Sequence, residues 1–300
     1  MAVAFDFWFL ATPVAKKSAL PTSQFAPGFV WYWRFDNSDM SDTRPPKPDA
    51  RAAAKAGPPR IVVVTCAVLE TEFEHLARGL PHLLRVEVLE QGLHREPDRL
   101  RRELQAVIDR VEAGTDAEAI VLGYGVCSRG TEGVRARRCK LVFARAHDCI
   151  THLLGCKERY ARYVAEHPGT YWYSPGWNRH HTPPGKKRHD DLLKEYCEKY
   201  GEDNAQFLME TEQHWFKSYD RATYVDVGVG ATPEDLAFTQ ECATWLGWKF
   251  DRQHGDPGLL RALLAGDWDN ERFIVLEPGQ TFRVTADARV IEPADGSATP

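Results

Sequence analysis

The strongest hydrophobic signal in the chain is a short unbroken run, Arg60-Ile61-Val62-Val63-Val64-Thr65, in which β-branched residues follow one another with no polar face. Such a run marks a strand covered on both sides, as in a parallel sheet. The period then changes. Between 70 and 80, Phe73, Leu76, Ala77 and Leu80 fall three and four residues apart, the spacing of one helix face. Residues 86–90 read as a second strand. Pro97 opens a helix whose stripe is Leu100, Leu104, Val107, Ile108 and Val111, and Gly114 closes it. Residues 119–122 and 141–144 read as strands, and 150–165 as a helix stopped by His167-Pro168-Gly169. Strand and helix alternating at this interval predict a parallel sheet with right-handed crossovers.

Residues 170–220 break the rhythm. An aromatic, turn-rich stretch is followed by a polar loop and by helices over 191–200 and 203–219, the pattern of a helical cap. Strand and helix resume over 221–278. Strands are expected at 224–227, 248–251 and 273–276, with helices opened by Thr232-Pro233 and over 259–265, before a hairpin from 280–284 and 288–291. The expected fold class is α/β: a Rossmann-like, mostly parallel sheet in two βαβαβ halves with a helical, aromatic-rich insert. The corresponding domains are a disordered extension over 1–59 with Met40 as a candidate start, an α/β half over 60–169, a cap over 170–220, a second α/β half over 221–292 and a disordered tail over 293–300.

Composition narrows the function classes. Lys and Arg number 38 against 43 Asp and Glu, a net charge of −5; a general nucleic-acid binder carries a basic surplus, so no nucleic-acid partner is expected. No stretch approaches the ~20 apolar residues of a membrane span. The apolar run at 2–14 has Lys16 and Lys17 after it rather than before it, unlike a secretory signal. A cytoplasmic protein is expected. There are seven cysteines and no C-x-x-C pair, so any cysteine site has to be assembled by the fold.

That assembly is foreseeable. Ligands of open parallel sheets bind beyond the carboxyl ends of the strands. Cys66 follows the first strand, Cys127 lies in the glycine-rich turn after the third, and Cys149 follows the fourth. With strand order 2-1-3-4 these strands are neighbours, and the three cysteines share one rim. Three thiolates are a ligand set for a zinc ion or an iron–sulfur cluster, with His147, Asp148 or Glu70 as candidate fourth ligand. An alternative is a metal-independent thiol enzyme with Cys127 as nucleophile and His147 as base. A third reading is a non-enzymatic binding protein whose cysteines are small hydrophobes. Gly123, Tyr124 and Gly125 form a turn that would present Cys127 or cradle an anion, and Arg145 flanks the rim as a candidate anion holder. Trp172 and Trp177, with Tyr171 and Tyr173, are candidates for an aromatic wall against a flat cofactor. A small-molecule ligand is therefore expected.

Four motifs carry a resemblance: Val64-Thr65-Cys66 with Leu69-Glu70; Leu122-Gly123-Tyr124-Gly125-x-Cys127-Ser128-x-Gly130-Thr131-Glu132-Gly133; Arg145-Ala146-His147-Asp148-Cys149-Ile150-Thr151; and Gly169-Thr170-Tyr171-Trp172-Tyr173-Ser174-Pro175-Gly176-Trp177. Together they resemble, over about residues 60–278, the bacterial and archaeal domain of unknown function numbered sixteen thirty-eight. The resemblance implies no reaction. It implies an association with corrinoid-dependent methylamine and betaine methyltransferases, hence a corrinoid contact, a corrinoid protein or methyltransferase as partner, and a role in one-carbon metabolism.

Overall fold

The first strand, β1 (Ile61–Cys66), is buried along its whole length, as its unbroken apolar run requires. The chain continues through helix α1 (Glu70–Leu76), β2 (Leu83–Leu89), α2 (Pro97–Gly114), β3 (Ala119–Gly123) and β4 (Lys140–Ala144). The five-residue stripe foreseen for α2 is the set of residues that it buries. The helix expected over 150–165 is two helices, α3 (Cys149–Leu154) and α4 (Lys157–Glu166). They part at Gly155, which takes a left-handed φ of 87°. Next come β5 (Thr170–Tyr173), α5 (Pro175–His180), α6 (Lys186–Tyr200), α7 (Glu202–Glu212), β6 (Arg221–Asp226), α8 (Pro233–Leu246), β7 (Lys249–His254) and α9 (Gly258–Ala265). The helix foreseen from Thr232-Pro233 is α8, which starts on a capping box between Thr232 and Asp235. The chain closes with β8 (Phe273–Leu276), β9 (Thr281–Val284) and β10 (Ile291–Ala294).

This is a computed structural model that describes residues 57–294. The expectations for the extension up to residue 56, including the start at Met40, and for the tail beyond 294 lie outside the described residues. Of the described residues, 58–294 form one compact unit. No described helix is long and apolar enough to cross a membrane.

The protein is a mixed α/β structure with a mostly parallel central sheet, ordered β2-β1-β3-β4-β8. The first four strands have the foreseen order and are parallel; β8 runs antiparallel to β4. A second parallel sheet has the order β5-β6-β7. Two expectations are thereby corrected. Tyr171-Trp172-Tyr173 is no part of a cap: it is a buried strand that pairs with β6. The strand at 273–276 extends the first sheet rather than completing a second βαβαβ half.

The carboxyl ends of the two sheets face each other across a tight seam. The 3-10 turn Ala67–Leu69 after β1 packs on α5, which follows β5. Gly230, after β6, lies against Thr71 on α1. Asp256 N, after β7, donates to Leu153 O on α3 at 2.9 Å.

Candidate functional site

Three loops build the rim. Cys66 ends β1 and is 1% exposed. After β3 the chain passes through Tyr124 and Gly125 to Cys127. A Cβ at Gly125 would stand 2.5 Å from Asp148 N and 2.6 Å from its Cα, so glycine lets this loop lie directly on the one after β4. Two hydrogen bonds lace them: Val126 N donates to Ala146 O at 3.0 Å and Cys127 N to His147 O at 3.2 Å. Cys127, Ser128 and Arg129 are then consecutively left-handed, at φ 46°, 55° and 66°. Each such non-glycine residue costs about 1 kcal/mol or more. Buried Thr131 holds the turn, donating to Gly125 O at 3.1 Å. After β4, Asp148 caps α3 through Oδ1, which accepts from Ile150 N and Thr151 N, while Oδ2 accepts from Tyr160 OH at 2.9 Å. Cys149 is the first residue of that helix.

The three foreseen cysteines stand at the ends of neighbouring strands. All are buried and free. Burial pushes the Cys66 thiol up to about 12, and pushes Cys127 and Cys149 well above the ordinary thiol value; the neighbouring thiols add to the rise in Cys127 and Cys149. Buried Asp148 adds its negative charge to both, and its own carboxyl is pushed up to about 6 by burial. Tyr124, 1% exposed, stands near Cys66 and Cys127 with no hydrogen-bond partner for its hydroxyl among the described residues. His94, from the 3-10 turn Gln91–Arg95 after β2, puts Nε2 3.1 Å from Cys66 Sγ. Burial, and then the charge of His181, pushes His94 down to about 4. His181 also lines a cavity of about 410 Å³ with Asn178, Arg179, Asp235 and Phe238. Among the described residues no group of three or more His, Cys, Asp or Glu side chains is arranged to hold a metal ion.

A family model described as a protein of unknown function, DUF1638, matches residues 88–264. This chain belongs to the DUF1638 family. The match spans His94, Cys127, Cys149 and the strand carrying Trp172, and leaves Cys66 before its start. No curated protein and no solved structure matches the chain.

The other foreseen residues of this DUF1638 protein are dispersed. His147 is exposed, with its ring 6.1 Å from that of Tyr160 rather than against Cys127. Gly123 is a packing glycine: a Cβ there would meet Thr65 Oγ1 at 2.5 Å. Trp172 is buried, stacked on Tyr160 at 6.3 Å, and its Nε1 has no partner; through Tyr160 and Asp148 it adjoins Cys149. Trp177 packs instead on His181 at 4.5 Å, and Tyr171 and Tyr173 point to the opposite face of their strand from Trp172. No continuous aromatic wall results. Arg145, expected to hold an anion, gives its guanidinium to backbone carbonyls: Nε donates to Asn270 O and Phe273 O, and Nη1 to Arg289 O at 3.0 Å and to Ile291 O. It ties β8 and β10 to the rim. Arg145→Met should therefore lower stability by about 2 kcal/mol, by stranding these carbonyls, and leave ligand binding at the rim unchanged; urea unfolding and a thiol titration check the two halves of this expectation.

Sequence reasoning missed His94. It is a lone histidine in a polar stretch, with no motif around it. Yet its strand neighbours β1, so the loop after β2 opens on the same rim, and that signal was available.

Proposed function

We propose that this DUF1638 protein holds a soft or borderline metal, as a zinc ion or an iron–sulfur cluster, on Cys66, Cys127 and Cys149. One observation carries the reading: three buried thiols stand at three adjacent strand ends, near enough that Cys66 raises the proton affinity of Cys127 and both raise that of Cys149. Such a donor set suits zinc or iron, and a bound cation reverses the electrostatic logic by replacing three protons and cancelling the mutual repulsion. The left-handed turn at Cys127–Arg129 supports it as well. Backbone strain concentrates where a side chain must be aimed, and this strain aims Cys127.

When bound, the metal would supply Lewis-acid or electron-transfer chemistry. The chain's own residues would do the rest. Tyr124 OH, free of any partner, would donate to a thiolate or to a bound molecule. Asp148 would hold Cys149 at the start of α3 and fix Tyr160. Trp172 would present an indole N–H beside them. The setting that we propose is one-carbon metabolism beside a corrinoid protein or methyltransferase, supported by the motif resemblance. A metal-independent thiol enzyme at Cys127 and His147 is less well supported, because His147 faces outward and the buried Cys127 thiol lies beside Asp148, whose charge disfavours the thiolate.

Purification of the full chain without oxygen, followed by metal analysis and a visible spectrum, tests the proposal. About one zinc per chain, or iron with broad thiolate-to-iron absorption, is expected, abolished in Cys127→Ser and retained in Cys242→Ser. Full-length protein that carries no more metal than Cys127→Ser, after zinc and iron supplementation, would overturn it.

A further inference from the structure

We propose that a second ligand site lies at the far end of the β5-β6-β7 sheet from the seam: an aromatic cage that takes a compact organic cation, an alkylated ammonium group. The proposal stands apart from the metal reading above and uses none of its residues.

β5, β6 and β7 are parallel, so their amino ends gather on the side away from the seam. Two segments bring aromatic side chains there. One is the 3-10 turn Gln213–Ser218, which leads towards β6 and carries Trp215 and Phe216; Tyr219 N donates to Phe216 O at 3.0 Å and closes it. The other is the end of α8. Gly247 takes a left-handed φ of 70°, and Trp248 N donates back to Ala243 O at 2.9 Å, so the chain reverses between Trp245 and Trp248. Lys249 N, at the start of β7, donates to Asp220 O at 2.8 Å, just before β6, and ties the two segments together. Phe216, Tyr219, Trp245 and Trp248 line the resulting cavity of about 740 Å³. That volume lies within the ~300–1,000 Å³ of small-molecule sites.

Ring geometry selects the shape of the ligand. Phe216 stands at 79° to Trp248 with centroids 6.1 Å apart, and Tyr219 at 39° to Trp248 at 5.7 Å. Trp215 supports them from outside the lining, meeting Phe216 at 83° and Tyr219 at 85°. Buried Tyr171 packs on Tyr219 at 5.4 Å and on Trp248 at 6.2 Å. None of these pairs is parallel, so they do not make the slot that a flat ring enters. Rings at steep angles make the corner of a box, which suits a compact cationic head. Charge selects the sign. The carboxylates of Glu210 and Asp220 outnumber the one permanent cation of the lining, Lys217; His214 adds charge only when protonated. Because the rings already hold one another, a ligand meets formed walls and little side-chain freedom is lost on binding.

Titration of the nitrogen-labelled full-length chain with tetramethylammonium, followed through the indole N–H signals, tests this. The signals of Trp245 and Trp248 should shift saturably, while those of Trp172 and Trp177 at the other end of the sheet stay in place. tert-Butanol, of similar shape and without charge, should bind at least ~10-fold more weakly. Trp245 is 39% exposed, so Trp245→Ala should fold as wild type does and lose roughly 10-fold in affinity. Phe207→Ser, which removes a 68% exposed ring outside the lining, should change nothing. Three results would each overturn the proposal: no saturable shift at Trp245 and Trp248, equal affinity for tert-butanol, or a Trp245→Ala variant that binds tetramethylammonium as wild type does. The second would leave an apolar cleft without preference for charge, and the first would leave the rings as packing alone.

Discussion

Gly176→Ala is expected to destabilise the protein by about 4 kcal/mol, more than the ~1–3 kcal/mol that overpacking usually costs in a core, because the clash is with backbone. Gly176 lies in α5 and is buried against the turn that follows β1. A Cβ at this position would overlap the Val68 carbonyl oxygen and stand 2.7 Å from its carbonyl carbon and 3.0 Å from its Cα. All three atoms are backbone, so no rotamer change relieves the clash. Nor can either side retreat easily. Val68 and Leu69 are fully buried, and α5 is anchored by Ser174, whose Oγ accepts from Trp177 N at 3.1 Å. Two elements would have to separate, opening the seam between the two sheets next to Cys66. For a domain of this size ~4 kcal/mol corresponds to a fall in melting temperature of about 10 °C. Gly114→Ala is the matching control. It ends α2 with open space around it and should be neutral or stabilising by up to about 1 kcal/mol. Urea unfolding of both variants decides the matter: a loss under 1 kcal/mol for Gly176→Ala would mean that the seam yields, and that the two sheets are not locked together there.

The same seam shows what the amino-acid sequence could and could not disclose. β1 to β4 were legible because their runs are unbroken and their helices keep a clear stripe, and the order 2-1-3-4 followed from ordinary crossover rules. That order was enough to gather Cys66, Cys127 and Cys149 on one rim. β5 was not legible as a strand. Its four residues are buried on both faces, so Tyr171-Trp172-Tyr173 shows no alternation, and the turn residues Ser174-Pro175-Gly176 made it look like a loop. The direction of β8 was equally hidden: Phe273-Ile274-Val275-Leu276 reads the same whether it joins a sheet parallel or antiparallel. Arg145 misled for a different reason. An arginine beside a glycine-rich turn resembles an anion holder, and only the folded chain reveals the carbonyls of Asn270, Phe273, Arg289 and Ile291 converging on it from more than a hundred residues away.

Glu72 carries the second large expectation, and it too belongs to the seam. Its side chain on α1 is 0% exposed and, among the described residues, neither carboxyl oxygen has a hydrogen-bond partner. Burial pushes its pKa from 4.5 up to about 7; Arg179 works against the rise, while Asp226 and Asp235 add to it. Arg179 and Arg252 do not neutralise it, since Arg179 is paired with Asp235 at 2.6 Å and Arg252 with Asp226 at 3.2 Å. Below pH 4.5 the carboxyl is neutral in both folded and unfolded chains and costs nothing extra. Between 4.5 and 7 the unfolded chain releases the proton that the folded chain keeps, so stability falls as pH rises. Above 7 both states are ionised and the full penalty of about 3 kcal/mol remains. Glu72→Gln removes the titration and keeps the shape. The stability of the variant relative to wild type should rise by about 3 kcal/mol from pH 4 to pH 8, whatever fixed cost the buried amide adds at both. Asp148, also pushed up by burial, contributes a slope of the same sign below pH 6 in both proteins and cancels in the comparison. Parallel stability profiles for the two proteins from pH 4 to 8 would show that Glu72 titrates normally. That in turn would require water or a cationic partner to reach the carboxyl, and the seam between α1 and the loop after β6 to be open rather than dry.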